Sequence, residues 1–216
     1  MRARHDINRE TAALTLIELL VVIGIVGILF AVFMPSLSRH SVRAPRITCV
    51  NNLKQIGLAF RIFATDYHEK FPMEIPVRDG GTKEFAEFGL VVPHLLVISN
   101  ELTTPKLLIC PSDRKTVASD FGELRDGNIS YFVGLEASQT KPLSLLAGDR
   151  NITNGSPGTD RVLLLKTDQA VGWTKEIHQH AGNVLLGDGS VQQLSSARLQ
   201  EALRNSGLSM NRLAIP

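Results

Sequence analysis

The chain has 216 residues, a formal net charge of +2 at pH 7 and 44% apolar residues. This length leaves room for one globular domain beside a terminal segment. The nearly balanced charge argues against nucleic acid as a partner, because nucleic acid attracts strongly basic surfaces. The two cysteines form no Cys-x-x-Cys motif, and no histidine spacing matches them, so a zinc site is not predicted.

The longest apolar run lies near the N-terminus and covers residues 14–34, LTLIELLVVIGIVGILFAVFM, with Glu18 as its one charged residue. A helix of this length spans about 30 Å, the thickness of a hydrocarbon core. The run continues directly into Pro35-Ser36-Leu37, which favours a retained transmembrane anchor over the core of a signal peptide. A carboxylate inside a bilayer costs about 2.5–3.5 kcal/mol, so we expect a positively charged partner for Glu18. The alternative is that Glu18 lies at headgroup level or is protonated.

The residues around Glu18, ALTLIELL at 13–20, resemble the cleavage and methylation motif of type IV prepilins and type II secretion pseudopilins. The resemblance implies that a prepilin peptidase cleaves between Ala13 and Leu14 and that the new N-terminus at Leu14 is methylated. It also implies that Glu18 contacts the N-terminal amine of a neighbouring subunit. Ala13 stands where the family usually has glycine, and Leu14 where it usually has phenylalanine.

The resemblance also implies a fold and a place in the cell. The expected segments are a cytoplasmic leader at 1–13, a transmembrane helix at 14–35, the periplasmic half of the N-terminal helix at 36–72 and a globular head at 73–216. The expected fold is pilin-like α+β, with one long N-terminal helix packed on a small, mainly antiparallel sheet. The expected localisation is the bacterial inner membrane, single-pass, with the N-terminus cytoplasmic, the head periplasmic, and assembly into a periplasmic fibre.

A second helical pattern follows the apolar run. Apolar residues recur there at intervals of four and three, namely Cys49, Leu53, Ile56, Phe60, Phe63 and Tyr67. This spacing predicts a helix that buries one face against a sheet. Pro45, just before it, predicts a kinked or interrupted helix. Cys49 and the distant Cys110 form either a disulfide, if the head lies outside the cytoplasm, or two buried thiols.

The stretch at 178–194, HQHAGNVLLGDGSVQQL, predicts two strands joined at Gly187-Asp188-Gly189. It resembles the C-terminal signature of a large bacterial group of pseudopilin-like proteins, a histidine followed by nine residues and Asp-Gly. His178 has this spacing to Asp188 and Gly189, and His180 is a second candidate for the histidine. A histidine–aspartate metal site or acid–base pair is less favoured than a structural role, because no pattern supplies further ligands.

Further elements are predicted on either side of this stretch. Aromatic and β-branched residues predict strands at 129–135 and 162–166, and a capping serine begins a short helix over 195–204. Cys-Pro-Ser-Asp at 110–113 again resembles the pseudopilin-like group. Calcium is a separate alternative, because some major pseudopilins bind it through a C-terminal loop. The oxygen ligands would come from Asp149, Asp160, Asp168 and Asp188, although no EF-hand pattern is present.

The predicted function is therefore structural. The chain is expected to be a pseudopilin of a type II secretion system or of a related type IV pilus-like fibre. Its expected partners are itself and other pseudopilins, the prepilin peptidase, the inner-membrane assembly platform and membrane lipid. One alternative is a membrane-anchored extracytoplasmic binding module that does not polymerise. The other is an anchored hydrolase that uses His178 or His180 with Asp188, but no nucleophile motif supports an enzyme.

Overall fold

A computed structural model of the chain describes residues 15–38, 40–156 and 161–216, with side chains at 15–31, 45–156 and 161–216. The chain divides between Arg43 and Ala44 into two compact units. The N-terminal unit contains helix α1 (Leu16–Ser38). The C-terminal unit contains most of helix α2 (His40–Asp66) and all later elements.

The predicted pilin-like fold class is wrong, because a single long N-terminal helix is not evident among the residues that the structure describes. Helices α1 and α2 are separate elements that fall largely in different compact units. Pro45, where an interruption was expected, lies inside α2. Periodicity in the sequence identifies helical segments, but it does not determine whether two consecutive segments join into one helix.

Among the described residues, no helix is both long enough and apolar enough to cross a membrane. This finding contradicts the predicted transmembrane helix at 14–35. It also contradicts the predicted single-pass inner-membrane localisation with a cytoplasmic N-terminus and a periplasmic head. The sequence argument counted all of 14–34 as one apolar span. That span includes Leu14, which together with Ala13 lies outside the described residues.

In the described part of the C-terminal unit, six strands form one antiparallel sheet in the spatial order β4-β8-β1-β2-β6-β7. A separate pair is formed by β3 (Ile152–Thr153) and β5 (Gly172–Trp173). The strands of the larger sheet are β1 (Tyr131–Gly134), β2 (Leu145–Asp149), β4 (Val162–Lys166), β6 (Ala181–Leu186), β7 (Val191–Ser195) and β8 (Met210–Ala214). The predicted strand at 162–166 and the predicted hairpin, which is β6–β7, are confirmed. Strands β2 and β8 were not predicted.

The central strands β1, β2 and β6 are buried on both faces of the sheet. Successive side chains of a strand point to opposite faces, so these strands contribute to two cores. In β1, Tyr131 and Val133 face the core that contains α2, while Phe132 faces a second core. In β6, Leu185 faces the α2 core, and its two neighbours face the other. The apolar stripe predicted for α2 is confirmed. Its members from Cys49 to Phe63 are buried in the first core.

The second face of the sheet is covered by helix α6 (Ser196–Asn205) and by the β3–β5 pair. Leu199 and Leu203, one turn apart on α6, are fully buried. The Ser195 hydroxyl accepts a hydrogen bond from the Arg198 backbone N–H, which is the predicted N-cap. The remaining short helices in the described chain are α3 (Lys83–Glu87), α4 (Val91–Leu96) and α5 (Ser99–Leu102), with 3-10 turns at Pro72–Glu74, Val77–Asp79, Pro105–Leu108 and Asp126–Asn128.

Helix α2 lies close against strand β6 at Gly57. A Cβ atom placed there would lie 2.6 Å from a methyl carbon of Leu185 on β6. We therefore expect Gly57→Val to lower the free energy of unfolding by about 1–3 kcal/mol, because the added methyl groups overpack this contact. Urea unfolding followed through the single tryptophan, Trp173, measures the effect. The control is Gly127→Val, because a Cβ there meets no atom within 4 Å. Equal effects of the two substitutions would contradict this account of the helix–sheet contact.

Candidate functional site

A disulfide bond joins Cys49 on α2 to Cys110, with 5.0 Å between the two Cα atoms. Both cysteines are fully buried. The bond closes a loop of 61 residues, which in the chain-entropy model stabilises the fold by about 4 kcal/mol relative to the open chain. The segment that precedes β1 is therefore covalently fixed to α2.

His178 lies directly against this disulfide. Its Nε2 atom is 3.4 Å from the Sγ atom of Cys110 and 3.5 Å from Oδ2 of Asp149. The imidazole is 4% exposed and the carboxyl group of Asp149 is fully buried. Four distant segments of the chain thus bring two sulfurs, an imidazole and a carboxyl group into one buried cluster, which we call the Cys–His–Asp cluster: Cys49, Cys110, Asp149 and His178.

Asp149 is the last residue of β2 and is held by the adjacent strand β6. The backbone N–H and the side-chain amide of Asn183 both donate to Asp149 Oδ2, at 2.7 and 2.8 Å. The other carboxyl oxygen, Oδ1, is buried and has no hydrogen-bond partner among the described residues. A buried oxygen without a partner is costly, so this atom is a feature that needs a physical explanation.

The backbone that presents His178 is strained. His178, Gln179 and His180 have φ angles of 55°, 52° and 61°, which is the left-handed region that side chains disfavour by about 1–2 kcal/mol per residue. Surrounding contacts hold the turn in place. Arg46 Nη2 donates to the His178 carbonyl at 2.8 Å, and the Asn151 side chain donates to the Ile177 carbonyl at 2.8 Å. Strain of this kind is kept where neighbouring groups fix the conformation.

Burial moves the pKa values of both titratable groups toward their neutral forms. Burial raises the pKa of Asp149 to about 7, although the hydrogen bonds from Asn183 oppose the shift. Burial, with a smaller effect of the Arg46 charge, lowers the pKa of His178 to about 4. Between pH 4 and pH 7 the 3.5 Å contact therefore joins a neutral carboxyl group to a neutral imidazole. It is not an ion pair in that range.

The residues of the C-terminal signature do not form one site. His178 belongs to the Cys–His–Asp cluster, while His180 points elsewhere, with Nδ1 3.2 Å from the Trp173 carbonyl. Asp188 and Gly189 form the β6–β7 turn, where Asp188 Oδ1 accepts from the Ser190 N–H at 2.8 Å. Gly189 has a φ of 85°, so the turn requires glycine's freedom there. The two halves of the signature thus have different contacts.

Both ends of the signature are nevertheless bound to the same helix. Arg46 donates to the His178 carbonyl, and Arg61 donates to the Asp188 carbonyl at 3.0 Å. The two arginines are 15 residues apart on α2, which corresponds to about 22 Å along a helix. Strand β6 lies between the two contacts. The histidine and the Asp-Gly of the signature are therefore each held by an arginine of α2, with β6 between them.

The Cys-Pro-Ser-Asp segment contributes at both of its ends. Cys110 forms the disulfide, while Asp113 accepts two hydrogen bonds from Arg150, at 2.8 and 2.9 Å. Arg150 also donates to Glu176 at 2.9 Å and follows Asp149 directly in sequence. The ion pair between Asp113 and Arg150 thus positions the end of β2 that carries Asp149.

The aspartates named for calcium lie on separate elements. Asp149 belongs to the buried cluster, Asp168 follows β4, Asp188 lies in the β6–β7 turn, and Asp160 is outside the described residues. Among the residues that the structure describes, the group with the spacing of metal ligands is Cys49, Cys110 and His178, whose ligand atoms lie within 4.8 Å of one another. Calcium binding stays a prediction.

At the N-terminus, Glu18 caps its own helix. The backbone N–H and hydroxyl of Thr15 donate to Glu18 Oε2 at 2.9 and 3.0 Å, and the Glu18 N–H donates back to the Thr15 hydroxyl at 3.4 Å. The Thr15 bonds lower the pKa of the Glu18 carboxyl group below its usual range. This is a capping box, whose Thr-x-x-Glu pattern was visible in the sequence but was not recognised there.

Sequence reasoning also missed most of the groups around the cysteines. Asp149 was considered only for calcium, and Arg46 and Asn183 were assigned to no site. One signal for Asp149 was available. A charged Asp-Arg pair directly follows the apolar residues of β2, and a charge at the end of a buried strand requires a partner.

Comparisons with known proteins give no family assignment. No protein-family model matches the chain, and no curated protein or solved structure matches it either. A functional proposal therefore depends on the N-terminal motif and on the contacts described above.

The neutral Asp149–His178 contact predicts two pH dependences of opposite sign. In the His178→Gln variant, Asp149 is the remaining titratable group of the pair. Its pKa is higher in the folded than in the unfolded chain, so the free energy of unfolding should be greatest below pH 4 and fall as the pH rises from 4 to 7. In the Asp149→Asn variant, His178 is the remaining titratable group of the pair. Its pKa is lower in the folded than in the unfolded chain, so the free energy of unfolding should rise as the pH rises from 4 to 6.5. Each slope is at most about 1.4 kcal/mol per pH unit.

Urea unfolding at several pH values measures these slopes. In the unsubstituted protein the two contributions oppose each other, so its profile should lie between those of the variants. His180→Asn is the control and should follow the unsubstituted profile. Slopes of the same sign in the two variants would contradict the neutral pair.

Proposed function

We propose that the chain is a structural subunit of a type II secretion pseudopilus or of a related type IV pilus-like fibre. A prepilin peptidase cleaves it between Ala13 and Leu14, and the mature chain assembles through α1. The observation that carries the proposal is the exposed apolar surface of α1 with a carboxylate in its first turn. The motif at 13–20 supports the same function by resemblance.

The surface of α1 requires a covering partner. Each described side chain of this helix, from Leu16 to Ala31, is exposed, and the large apolar ones range from 43% exposed at Val26 to 80% at Leu16. Apolar residues occur all round the helix, so no polar stripe is available to face water. An unpartnered apolar surface of this extent indicates an interaction site. Copies of the same helix provide a matching apolar surface on every side.

Glu18 gives such packing a register. Its carboxylate lies in the first turn of α1, next to a chain end that cleavage would create at Leu14. In a bundle of apolar helices a carboxylate is costly unless a cation meets it. The amine at Leu14 of a neighbouring subunit supplies that cation at one relative position of two helices. Other positions leave both charges unpaired, which disfavours them.

The Cys–His–Asp cluster supports a structural role rather than a hydrolytic one. Cys49, Cys110 and Asp149 are fully buried, and the imidazole of His178 is 4% exposed. A substrate does not reach groups that are covered in this way. His178 and Asp188, which the hydrolase alternative paired, take part in different contacts. The cluster instead fixes α2 to the sheet and makes the C-terminal unit rigid.

The first test is the identity of the N-terminus. Expression with a prepilin peptidase should give a chain that begins at Leu14 and carries one added methyl group, because the motif places the cut there. Intact-mass and N-terminal analysis of the purified protein measures this. The control is Ala13→Arg, which should block cleavage. A chain that still begins at Met1 or Arg2 in the presence of an active peptidase would contradict the proposal.

The second test separates pairing by Glu18 from capping by Glu18. Glu18→Gln removes the charge, and Thr15→Val removes the side-chain bond to Glu18 but keeps the charge. Loss of a helix cap costs about 1 kcal/mol, so Thr15→Val should lower helix stability and retain assembly. Glu18→Gln should abolish assembly, because the neighbouring amine loses its partner. Cross-linking between subunits in cells that express the assembly apparatus measures the assembled fraction.

The outcomes of this test are distinct. Equal loss of assembly in both variants would mean that Glu18 acts only as a cap, which would contradict the pairing. Unchanged function with Glu18→Ala, together with no cross-linked oligomers of the unsubstituted chain, would favour a binding module that does not polymerise.

A further inference from the structure

We infer that the Cys–His–Asp cluster is a zinc site when its disulfide is reduced. The proposed ligands are the sulfurs of Cys49 and Cys110 and Nε2 of His178, and the carboxyl group of Asp149 lies next to this histidine. The disulfide and the metal are alternative ways to join the same segments of the chain. This inference concerns the C-terminal unit and does not depend on the proposed fibre.

The distances around His178 Nε2 support the inference. A tetrahedral zinc ion with a sulfur at about 2.3 Å and a nitrogen at about 2.0 Å separates those two ligands by about 3.5 Å. Nε2 already lies 3.4 Å from Cys110 Sγ and 3.5 Å from Asp149 Oδ2. The contact between Nε2 and Cys110 Sγ therefore already has the length of one edge of the required tetrahedron. The ligand atoms of Cys49, Cys110 and His178 all lie within 4.8 Å of one another.

The carboxyl group of Asp149 supports the inference independently. Its Oδ1 atom is fully buried and has no hydrogen-bond partner among the described residues. The other oxygen accepts two hydrogen bonds from Asn183, which orient the group. Carboxylates that bind metals are commonly oriented by such outer contacts. An oriented carboxyl group with one unpartnered oxygen, next to the ligand nitrogen of His178, is suited to a site near a cation.

The chemistry balances with an external dithiol as the reductant. The dithiol loses two electrons and two protons and becomes a disulfide, while Cys49 and Cys110 become two thiols. Zinc then binds both sulfurs as thiolates and releases two protons. The sulfurs must move from bonding distance to about 3.8 Å apart in a tetrahedral site. Rotation about each Cα–Cβ bond supplies this movement without a change of the backbone.

The set of ligands favours zinc over harder cations. Thiolate and imidazole ligands select zinc among the metals that prefer tetrahedral sites, whereas calcium and magnesium prefer oxygen ligands alone. Cys49, Cys110 and His178 supply two sulfurs and one nitrogen. Three protein ligands leave one position of a tetrahedral zinc ion for a further group.

The test is an anaerobic metal titration of the full-length chain. The protein is reduced with dithiothreitol, desalted and titrated with Co²⁺, which reports thiolate ligands and tetrahedral geometry by its absorption, and then with Zn²⁺ in competition. We expect one metal per chain in the reduced protein and none in the oxidised protein. Zinc should also protect both cysteines from alkylation. Absence of a cobalt–thiolate spectrum in reduced, folded protein would overturn the inference.

Matched variants in the same left-handed turn identify the histidine. His178→Asn should weaken zinc binding by more than about 10–100-fold, the loss that removal of an outer-shell partner causes. His180→Asn should leave zinc affinity unchanged. Asparagine tolerates the left-handed backbone, so both variants keep the turn. Asp149→Asn should weaken binding and retain the thiolate absorption. Equal affinities of the two histidine variants would overturn the assignment.

Circular dichroism distinguishes loss of a ligand from loss of the fold. If the reduced protein unfolds without metal, addition of zinc should restore its spectrum, because binding then supplies the free energy of folding. A reduced protein that zinc does not refold would overturn the inference.

Discussion

Attachment of α2 to the sheet is the constraint on which the C-terminal unit depends. The stripe from Cys49 to Phe63 buries one face of this helix, but burial alone leaves the helix able to shift along its axis. Three further contacts fix it: the disulfide at Cys49, the Arg46 contact with the His178 carbonyl, and the Arg61 contact with the Asp188 carbonyl. Each contact joins α2 to a segment more than 60 residues away in sequence. The sheet, the strained turn and the hairpin are therefore all positioned relative to one helix.

The buried carboxyl and imidazole groups next to the disulfide are neutral rather than charged. A carboxylate and an imidazolium in contact would gain mutual attraction, but both would have to leave water, and that penalty can exceed the gain. In this protein the pKa of Asp149 is raised and that of His178 is lowered, so neither group is charged near pH 6. Asn183 satisfies one carboxyl oxygen and leaves the other without a partner.

The sequence predicted elements whose signals are local. The stripe on α2 follows from helical spacing, the β6–β7 hairpin from Asp188-Gly189, and α6 from its capping serine and from Leu199 and Leu203. It missed β2, since Ala147 and Gly148 weaken the strand signal there, and it joined α1 to α2 because periodicity does not determine whether consecutive helical segments form one helix. The Cys–His–Asp cluster could not be predicted from the sequence for a different reason. Burial decides how Asp149 and His178 behave, and burial depends on segments that are far apart in the chain.

The two arginine contacts have a consequence for how this chain tolerates change in length. Strand β6 connects a turn bound by Arg46 with a turn bound by Arg61. Its successive side chains pack in the two cores on opposite faces of the sheet. An inserted or deleted residue would detach one turn from α2 and would also exchange the sides of Val184, Leu185 and Leu186. Substitutions at Val184, Leu185 and Leu186 must keep apolar volume, and Asn183 must keep its hydrogen bonds to Asp149. Variation among homologous chains is thus expected to change the identity of residues between the histidine and Asp-Gly, while their number stays constant.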